Sequence, residues 1–221
     1  MDLRKFFTVA FLGTAGLVTG LTLAPIQFTS CTVLKSESNI NHGLETTLKE
    51  ESKRYNDWVH YALRQSKKEN VLLINKSKYT LDVLMDKKII KQYSIKLGFD
   101  SIDDKWMQGD GCTPEGIYSA DMKLSLGKTA YYEAININYP TPDNWKIFNK
   151  RKADGTIPPN ATIGGAIEIH GTGSREKGDS KETNWTSGCI ALSNKDMDAL
   201  YERVHIGTPI IIVGYTNVRY K

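Results

Sequence analysis

The chain has 221 residues, 40% of them hydrophobic, which is enough for one sizeable core but tight for two. Its 29 basic and 25 acidic residues give a formal net charge of +4. These charges form no long run of one sign, so the composition argues against a protein that binds nucleic acid. We therefore expect one folded domain.

The N-terminal segment differs in composition from the rest of the chain. Arg4 and Lys5 precede an uncharged stretch whose most apolar part, residues 6–23, suits an export signal or a membrane anchor. A lipoprotein signal is a third interpretation, because "FTSC" resembles a bacterial lipobox with Cys31 as the lipidated residue. All three make residues 1–36 a signal or anchor, with the membrane as a partner of the N-terminus. They place the remainder in the cell envelope, outside the cytoplasm.

Two different periodicities follow this segment. Residues 37–69 are mostly polar, with apolar residues at spacings of three, four and seven, which is typical of an amphipathic helix. We interpret them as a helical stalk or linker that partly packs on the domain. From residue 70 to Gly98, short runs rich in Val, Ile, Leu and Tyr alternate with polar turns and predict about three strands.

The middle of the chain is rich in glycine and proline. "QGDGCTPEGIYSADMK", residues 108–123, predicts an ordered turn or loop rather than a helix. "YEAININYP" predicts a strand, and the stretch after it contains Pro142, Pro158 and Pro159. We expect this stretch to be a long irregular loop, such as a lid or a binding loop.

The last third contains two further strand patterns and one helix pattern. "GAIEIHGTG" alternates cleanly, and "GTPIIIVGY" is typical of a buried strand. A helix is predicted from Ser193, with Asp196 completing a capping box, to about Val204. The fold class is therefore mainly β, with a folded domain over residues 70–214 and a tail over 215–221.

Cysteine and histidine usage limits the chemistry. Beyond Cys31 the chain has only Cys112 and Cys189, and the sequence leaves open whether these two form a disulfide. The four histidines are scattered and no metal-ligand spacing is present, so we expect no metal site.

Cys189 and His170 form the candidate site. Alternation in "AIEIHG" places His170 at the end of a strand, and a thiol needs a nearby base to generate thiolate. Gly188 permits a sharp turn before Cys189. The backbone N–H groups of such a turn can donate hydrogen bonds to an oxyanion that develops during the reaction. A single cysteine among small residues is more often structural than catalytic, and so is a single histidine on a strand.

"IHGTG" followed by "WTSGCIALSNKDMDALY" resembles the L,D-transpeptidase catalytic (YkuD) domain family of bacterial cell-wall enzymes. The resemblance extends through "LLINKSKYTLDVL" and "QGDGCTPEGIYSA" to "GTPIIIV", so it covers about residues 70–214. It implies a β-sandwich-like domain with one helix after the nucleophile Cys189. It also implies that His170 is the general base, that the Gly171 backbone orients the imidazole, and that N–H groups around Gly188 and Cys189 bind the oxyanion.

The resemblance also implies a substrate, the peptidoglycan stem tetrapeptide. Attack falls on the L-centre carbonyl of the third residue, usually diaminopimelate, the terminal D-alanine leaves, and a thioester results. The resemblance implies that no organic cofactor is needed. Transfer to an amine cross-links stems or attaches a wall-anchored protein, whereas transfer to water makes the protein an L,D-carboxypeptidase, amidase or endopeptidase. A non-catalytic wall-binding module is a more distant alternative.

Two positions depart from the commonest family pattern. Ser187 stands where many members have a second histidine, and Ala191 where many have arginine or asparagine. These changes put in doubt any role of that arginine in carboxylate binding, for which Arg175 is a substitute candidate. With Ser187 and Arg175, we expect Trp185 and Tyr118 to contact substrate.

Overall fold

The computed structural model describes residues 53, 56–67, 69–174 and 184–214. The predictions for Cys31 and the N-terminal anchor, for Arg175, and for the tail 215–221 lie outside the described residues. Within the described part of the chain, no helix is both long and apolar enough to cross a membrane.

Eight strands form one sheet in the order β3-β2-β1-β8-β4-β5-β6-β7. The strands are β1 Val71–Asn75, β2 Thr80–Met85, β3 Lys88–Ser94, β4 Gly116–Leu124, β5 Ala134–Ile137, β6 Glu168–Gly171, β7 Ile190–Leu192 and β8 Pro209–Val213. Helix α1 covers residues 56–65, α2 covers Pro142–Ala153 and α3 covers Asn194–Tyr201.

The sheet bends at β4 and its two ends are joined. The first half of β4 pairs with β8 and the second half with β5, with a register shift between Ala120 and Met122. Beyond β3, Lys96 and Ala191 of β7 exchange two backbone hydrogen bonds of 2.8 and 2.9 Å. The sheet is therefore barrel-like, and the prediction of a mainly β fold with a helix after Cys189 is confirmed.

The core lies inside this bent sheet, and β1 and β8 are buried on both faces. One face of each strand belongs to the main core, and the other packs under α1 through the fully buried Ala62. This double burial explains why "VLLIN" and "PIIIV" are continuous apolar runs rather than alternating ones. Of the segment predicted as a stalk, the described residues 56–65 are thus helical and lie against the domain.

The expectation of a long irregular loop after β5 is wrong, because α2 occupies it. Thr141 caps this helix, accepting a hydrogen bond from the N–H of Asn144, whose side chain bonds back to the N–H of Thr141. Pro142 stands at the first helical position, where a missing N–H costs nothing. The prolines therefore flank the helix instead of preventing it. The predicted helix after Ser193 is present and ends at Tyr201, three residues before Val204.

A buried ion pair connects the end of β1 to the loop that precedes β4. Lys76 is 2% exposed, and its Nζ lies 3.2 Å from Glu115 Oε1. The same ammonium donates to the carbonyls of Asp103 at 2.7 Å and Thr113 at 2.9 Å. These bonds hold the loop that reaches the candidate site.

Replacing Lys76 with methionine is expected to lower the free energy of unfolding by about 3–5 kcal/mol, because Glu115 is left as a buried carboxylate without its cation. Denaturant unfolding measures the loss. Lys88, exposed on β3, provides the matched control, and Lys88→Met should change stability by less than about 0.5 kcal/mol. Equal unfolding midpoints for the two variants would contradict a structural role for the pair.

Candidate active site

The parallel pairing of β6 with β7 puts the predicted nucleophile and base on neighbouring segments, without a hydrogen bond between Cys189 Sγ and His170 Nε2. His170 lies opposite Ala191 in this pairing. Two positions earlier on each segment, the backbone N–H of Glu168 donates to Cys189 Sγ at 3.4 Å. Since side chains alternate along a strand, Cys189, two residues before Ala191, lies on the same face of the sheet as His170.

His170 is fully buried and held in one tautomer. Its Nδ1 lies 2.8 Å from the Gly171 carbonyl oxygen, which can only accept, so Nδ1 carries the proton and Nε2 carries the lone pair. The Tyr131 ring stacks on the imidazole at 3.7 Å between centroids, and the Trp185 ring stands edge-on at 5.7 Å. Among the described residues, Nε2 has no hydrogen-bond partner. The basic nitrogen is therefore available for a proton.

The thiol and the imidazole are both neutral at pH 7. Burial lowers the pKa of His170 to about 4, although its hydrogen bond with Gly171 acts in the opposite direction. Burial is also the main cause that raises the pKa of the Cys189 thiol to about 11. In this state sulfur carries its proton and the imidazole carries none.

The thiol is half-buried and lies against the segment that enters β6. Cys189 Sγ donates to the Ala166 carbonyl oxygen at 3.6 Å, in addition to accepting from the N–H of Glu168. Ala166 adopts a φ of 52°, a left-handed conformation that is uncommon outside glycine. Backbone strain of this kind clusters at functional sites.

A threonine holds the turn that presents Cys189. The Thr186 hydroxyl accepts from the N–H of Gly188 at 3.2 Å and donates to the Cys189 carbonyl at 2.7 Å. The N–H of Gly188, predicted as an oxyanion donor, is therefore already engaged. The N–H of Cys189 has no acceptor within the described ranges and is the better placed donor.

Three backbone segments meet beneath the turn. A Cβ on Gly188 would lie 2.7 Å from the Cys112 carbonyl oxygen, and one on Gly98 would lie 1.9 Å from the Gly111 carbonyl oxygen. Asp110 fixes this loop by accepting hydrogen bonds from several backbone N–H groups, including that of Cys112 at 3.0 Å. Glycine is required here for close approach as well as for the φ of 130° at Gly188.

Gly188→Ala is expected to destabilise the protein and to reduce any activity that depends on Cys189. Gly207 offers a matched control, because its φ of 91° is also positive but nothing lies within 4 Å of the position that a Cβ would occupy. Gly188→Ala should cost about 1–3 kcal/mol more than Gly207→Ala, the usual penalty of an overpacked contact. Thermal unfolding of both variants measures the difference, and equal losses would rule out the close approach as its cause.

Comparison with known proteins identifies the family of this chain. The family model for the L,D-transpeptidase catalytic domain (YkuD) matches residues 69–212. The chain belongs to the L,D-transpeptidase catalytic domain family. A putative L,D-transpeptidase, YqjB of Bacillus subtilis (strain 168), is 30% identical over 146 residues, which cover 64% of this chain and 69% of that protein.

Solved structures give the same fold. The helical cell shape determining protein Pgp2 from Campylobacter jejuni matches with a TM-score of 0.51 at 24% identity, over 74% of this chain and 57% of that one. A mutant of that protein matches with a TM-score of 0.50 at 26% identity, over 74% and 56%. The L,D-transpeptidase domain described here therefore spans less than two thirds of the Pgp2 chains.

The predicted substrate-contacting residues of this L,D-transpeptidase domain separate into two places. Trp185, beside the imidazole, and the exposed Ser187 lie at the Cys189 turn. Tyr118 is 4% exposed and donates to the Glu115 carbonyl at 3.0 Å. It lines a different cavity, of about 280 Å³, next to α2.

Sequence reasoning missed two residues that shape the L,D-transpeptidase site. Tyr131 stacks on the imidazole because Ala134, three residues later, pairs with His170 across β5 and β6. Nothing in the local sequence marks that contact. Thr186 was detectable, since a threonine two residues before a glycine favours a turn in which the hydroxyl accepts the glycine N–H.

Cys112 and Cys189 are both free, and Cys112 is buried. Burial, with the nearby Asp110 carboxylate, raises the pKa of Cys112 to about 12. In the described ranges, no three His, Cys, Asp or Glu residues are grouped so that they could hold a metal ion.

Proposed function

We propose that this protein is a cysteine-dependent L,D-transpeptidase that acts on peptidoglycan stem peptides through a thioester at the third residue. The observation that carries the proposal is the state of His170. Its Nδ1–H is fixed on the Gly171 carbonyl, and its basic Nε2 is unpaired within the described residues, on the sheet face that holds the Cys189 thiol. A neutral imidazole beside a neutral thiol is arranged for general base catalysis.

In the first step, Cys189 Sγ attacks the carbonyl carbon of the third stem residue while its proton passes to His170 Nε2. The tetrahedral intermediate places negative charge on the carbonyl oxygen, for which the N–H of Cys189 is the candidate donor. The bond to the terminal D-alanine then breaks, and His170 returns the proton to the leaving amine. The product is a thioester between Cys189 and the shortened stem.

In the second step, an amine attacks the thioester carbon and gives its proton to His170, after which the Cys189 thiolate leaves and takes that proton back from His170. An amine from another stem produces a cross-link, and an amine of a wall-anchored protein produces a covalent attachment. The turn at Gly188 and the Thr186 hydroxyl serve both steps, because they fix the position of sulfur.

Family membership supports peptidoglycan as the substrate, and the match to a helical cell shape determining protein supports a role in cell shape. Such a substrate lies outside the cytoplasmic membrane. We therefore propose that the domain acts in the cell envelope. Attachment through the N-terminus, including lipidation of Cys31, stays a prediction.

Hydrolysis of the same thioester is the second candidate function. Cys189 is half-buried and its neighbour Ser187 is exposed, so water has access to the turn. A transpeptidase has to hold an acceptor stem and keep water from the thioester, whereas a hydrolase needs only water.

Incubation of the full-length protein with purified disaccharide tetrapeptide tests the proposal. Mass spectrometry of the products should show dimers joined between two third residues for transfer, and tripeptide for hydrolysis. Neither product should form with Cys189→Ala, whereas Cys112→Ala should retain both. Wild-type protein that leaves the tetrapeptide unchanged, or a Cys189→Ala variant that still converts it, would overturn the proposed chemistry.

A further inference from the structure

Glu168 occupies the position next to the Cys189 thiol in the paired segments. β6 and β7 pair Ile169 with Ile190, and the same register one residue earlier sets Glu168 beside Cys189. The backbone N–H of Glu168 donates to Cys189 Sγ at 3.4 Å, which agrees with that register. Paired strands lie about 5 Å apart, so the two residues are immediate neighbours across the sheet.

Glu168 also shares a face of β6 with His170. Side chains alternate along a strand, and Ile169 between these two residues belongs to the core. The charge of Glu168 reaches the sulfur. Burial is the main cause that raises the pKa of the Cys189 thiol, and the Glu168 carboxylate raises it further. Glu168 therefore belongs to the same group of side chains as the proposed nucleophile and base.

The carboxylate of Glu168 has no partner within the part of the chain that the structure describes. The residue is partly buried, yet its side chain forms no hydrogen bond and no ion pair there. Asn136 faces it from β5, but the Oδ1 atom of Asn136 is itself buried without a described donor. Burial is the cause that raises the pKa of Glu168. A partly buried carboxylate without a donor is unfavourable, so packing gives no reason for this residue.

An unpaired carboxylate beside the reacting sulfur suits a positively charged hydrogen-bond donor. The acyl acceptor in the proposed function is a primary amine, and an alkyl amine has a pKa of about 10, so it arrives at pH 7 as an ammonium. An ammonium has no lone pair, so it cannot attack a thioester until it loses a proton. A carboxylate can hold the ammonium by charge-assisted hydrogen bonds, which are roughly twice as strong as neutral ones, and can accept that proton.

We propose that Glu168 binds the ammonium of the acyl acceptor beside the thioester and takes its first proton. The inference rests on the proposed function, to which it adds a second base. The resulting amine attacks the thioester carbon and passes a second proton to His170 Nε2. The carbon–sulfur bond then breaks, the Cys189 sulfur takes the proton from His170, and Glu168 releases its own proton to water. Water carries no charge for Glu168 to hold, so this residue favours transfer over hydrolysis.

Two thiol reagents that differ in charge test the ammonium site without any turnover. Aminoethyl methanethiosulfonate carries an ammonium, whereas hydroxyethyl methanethiosulfonate has the same length and no charge. Full-length protein is labelled with each reagent, and mass spectrometry of the peptide that contains Cys189 gives the two rates. The ratio of the charged to the uncharged rate should fall about tenfold on Glu168→Gln, because a charged hydrogen bond is lost. A change in thiol pKa alone would move both rates by the same factor and leave the ratio unchanged.

Two further variants and a stability measurement serve as controls. Glu168→Asp should keep most of the rate ratio, and Glu202→Gln, an exposed carboxylate at the end of α3, should keep all of it. Glu168→Gln should unfold at the wild-type temperature or above it, because it removes a partly buried charge without a partner. Equal rate ratios for wild type and Glu168→Gln would overturn the proposal, and so would a lower unfolding temperature for Glu168→Gln.

Product ratios separate this inference from the proposed function. With disaccharide tetrapeptide, Glu168→Gln should lower the ratio of dimer to tripeptide about tenfold while tripeptide still forms. If wild-type protein yields neither product but the reagent ratio depends on Glu168, the proposed function fails and the ammonium site stands. If both products form and neither ratio depends on Glu168, only this inference fails. Tripeptide alone from the wild-type protein would overturn the role of Glu168 in transfer.

Discussion

Cys189→Ala is expected to lower the rate of product formation from stem tetrapeptide by about 10⁴- to 10⁶-fold, the range seen when a nucleophile is removed from a reacting unit. No other described side chain can replace it. The only other described cysteine, Cys112, is buried, and burial raises its pKa to about 12. The turn itself should survive the substitution, because its hydrogen bonds join Thr186 to backbone groups.

Single-turnover assays with the disaccharide tetrapeptide measure this loss. Cys112→Ala should keep wild-type rates within about threefold, since its thiol only donates to the Asp110 carbonyl at 3.5 Å. Trapping of a thioester by mass spectrometry should succeed with Cys112→Ala and fail with Cys189→Ala. A thioester on Cys112 would be incompatible with the proposed site.

His170→Ala is expected to reduce kcat by about 10²- to 10⁴-fold, the usual contribution of a general base. The pH profile gives a sharper test than the rate. Since burial lowers the pKa of His170 to about 4, the imidazole stays neutral above that value. The acid limb of kcat/KM should therefore lie near pH 4, well below the ordinary histidine value.

Tyr131 provides a variant of the same test. Its ring covers one face of the imidazole, so Tyr131→Ala should admit water and move the acid limb upward, whereas Tyr131→Phe should leave it in place. If His170 had only a structural role, Tyr131→Ala would lower activity without moving the acid limb. An acid limb near the unperturbed histidine pKa of about 6.5 in the wild-type enzyme would contradict the buried neutral state of His170.

The same pKa predicts how stability depends on pH. Between about pH 6.5 and pH 4 the unfolded chain binds a proton at His170 that the folded protein does not bind, so the unfolded state binds more protons. Stability should therefore fall as pH decreases through this window. His170→Gln should remove that part of the slope, which denaturant titrations at several pH values measure without any substrate.

The sequence predicted the elements whose signals are local. The strands β1 to β3 follow from short apolar runs between polar turns, and α3 follows from the Ser193 cap. Helix α2 was missed, although Thr141, Pro142 and the basic residues of its last turn are ordinary helix signals. Proline breaks a helix only in its interior, and here the prolines stand at the first position or beyond the end.

The candidate site was also predictable from sequence only in part. Cys189 and His170 were predicted from sequence because glycine flanks each of them and family motifs surround them, and their roles stay a prediction. The stacking of Tyr131 on His170 and the pairing of Ala191 with both Lys96 and His170 arise from contacts between distant segments. No local pattern encodes such pairing, and the protonation state of the pair depends on burial that only the folded chain creates.

The high pKa of the Cys189 thiol has a consequence for the lifetime of the protein. Peroxides and disulfides react with thiolate, so a thiol that stays protonated between encounters with substrate is attacked slowly by oxidants. The contact of its sulfur with the Ala166 carbonyl favours the protonated form further. The buried, uncharged thiol is thus expected to gain chemical durability at the expense of reactivity in the absence of substrate.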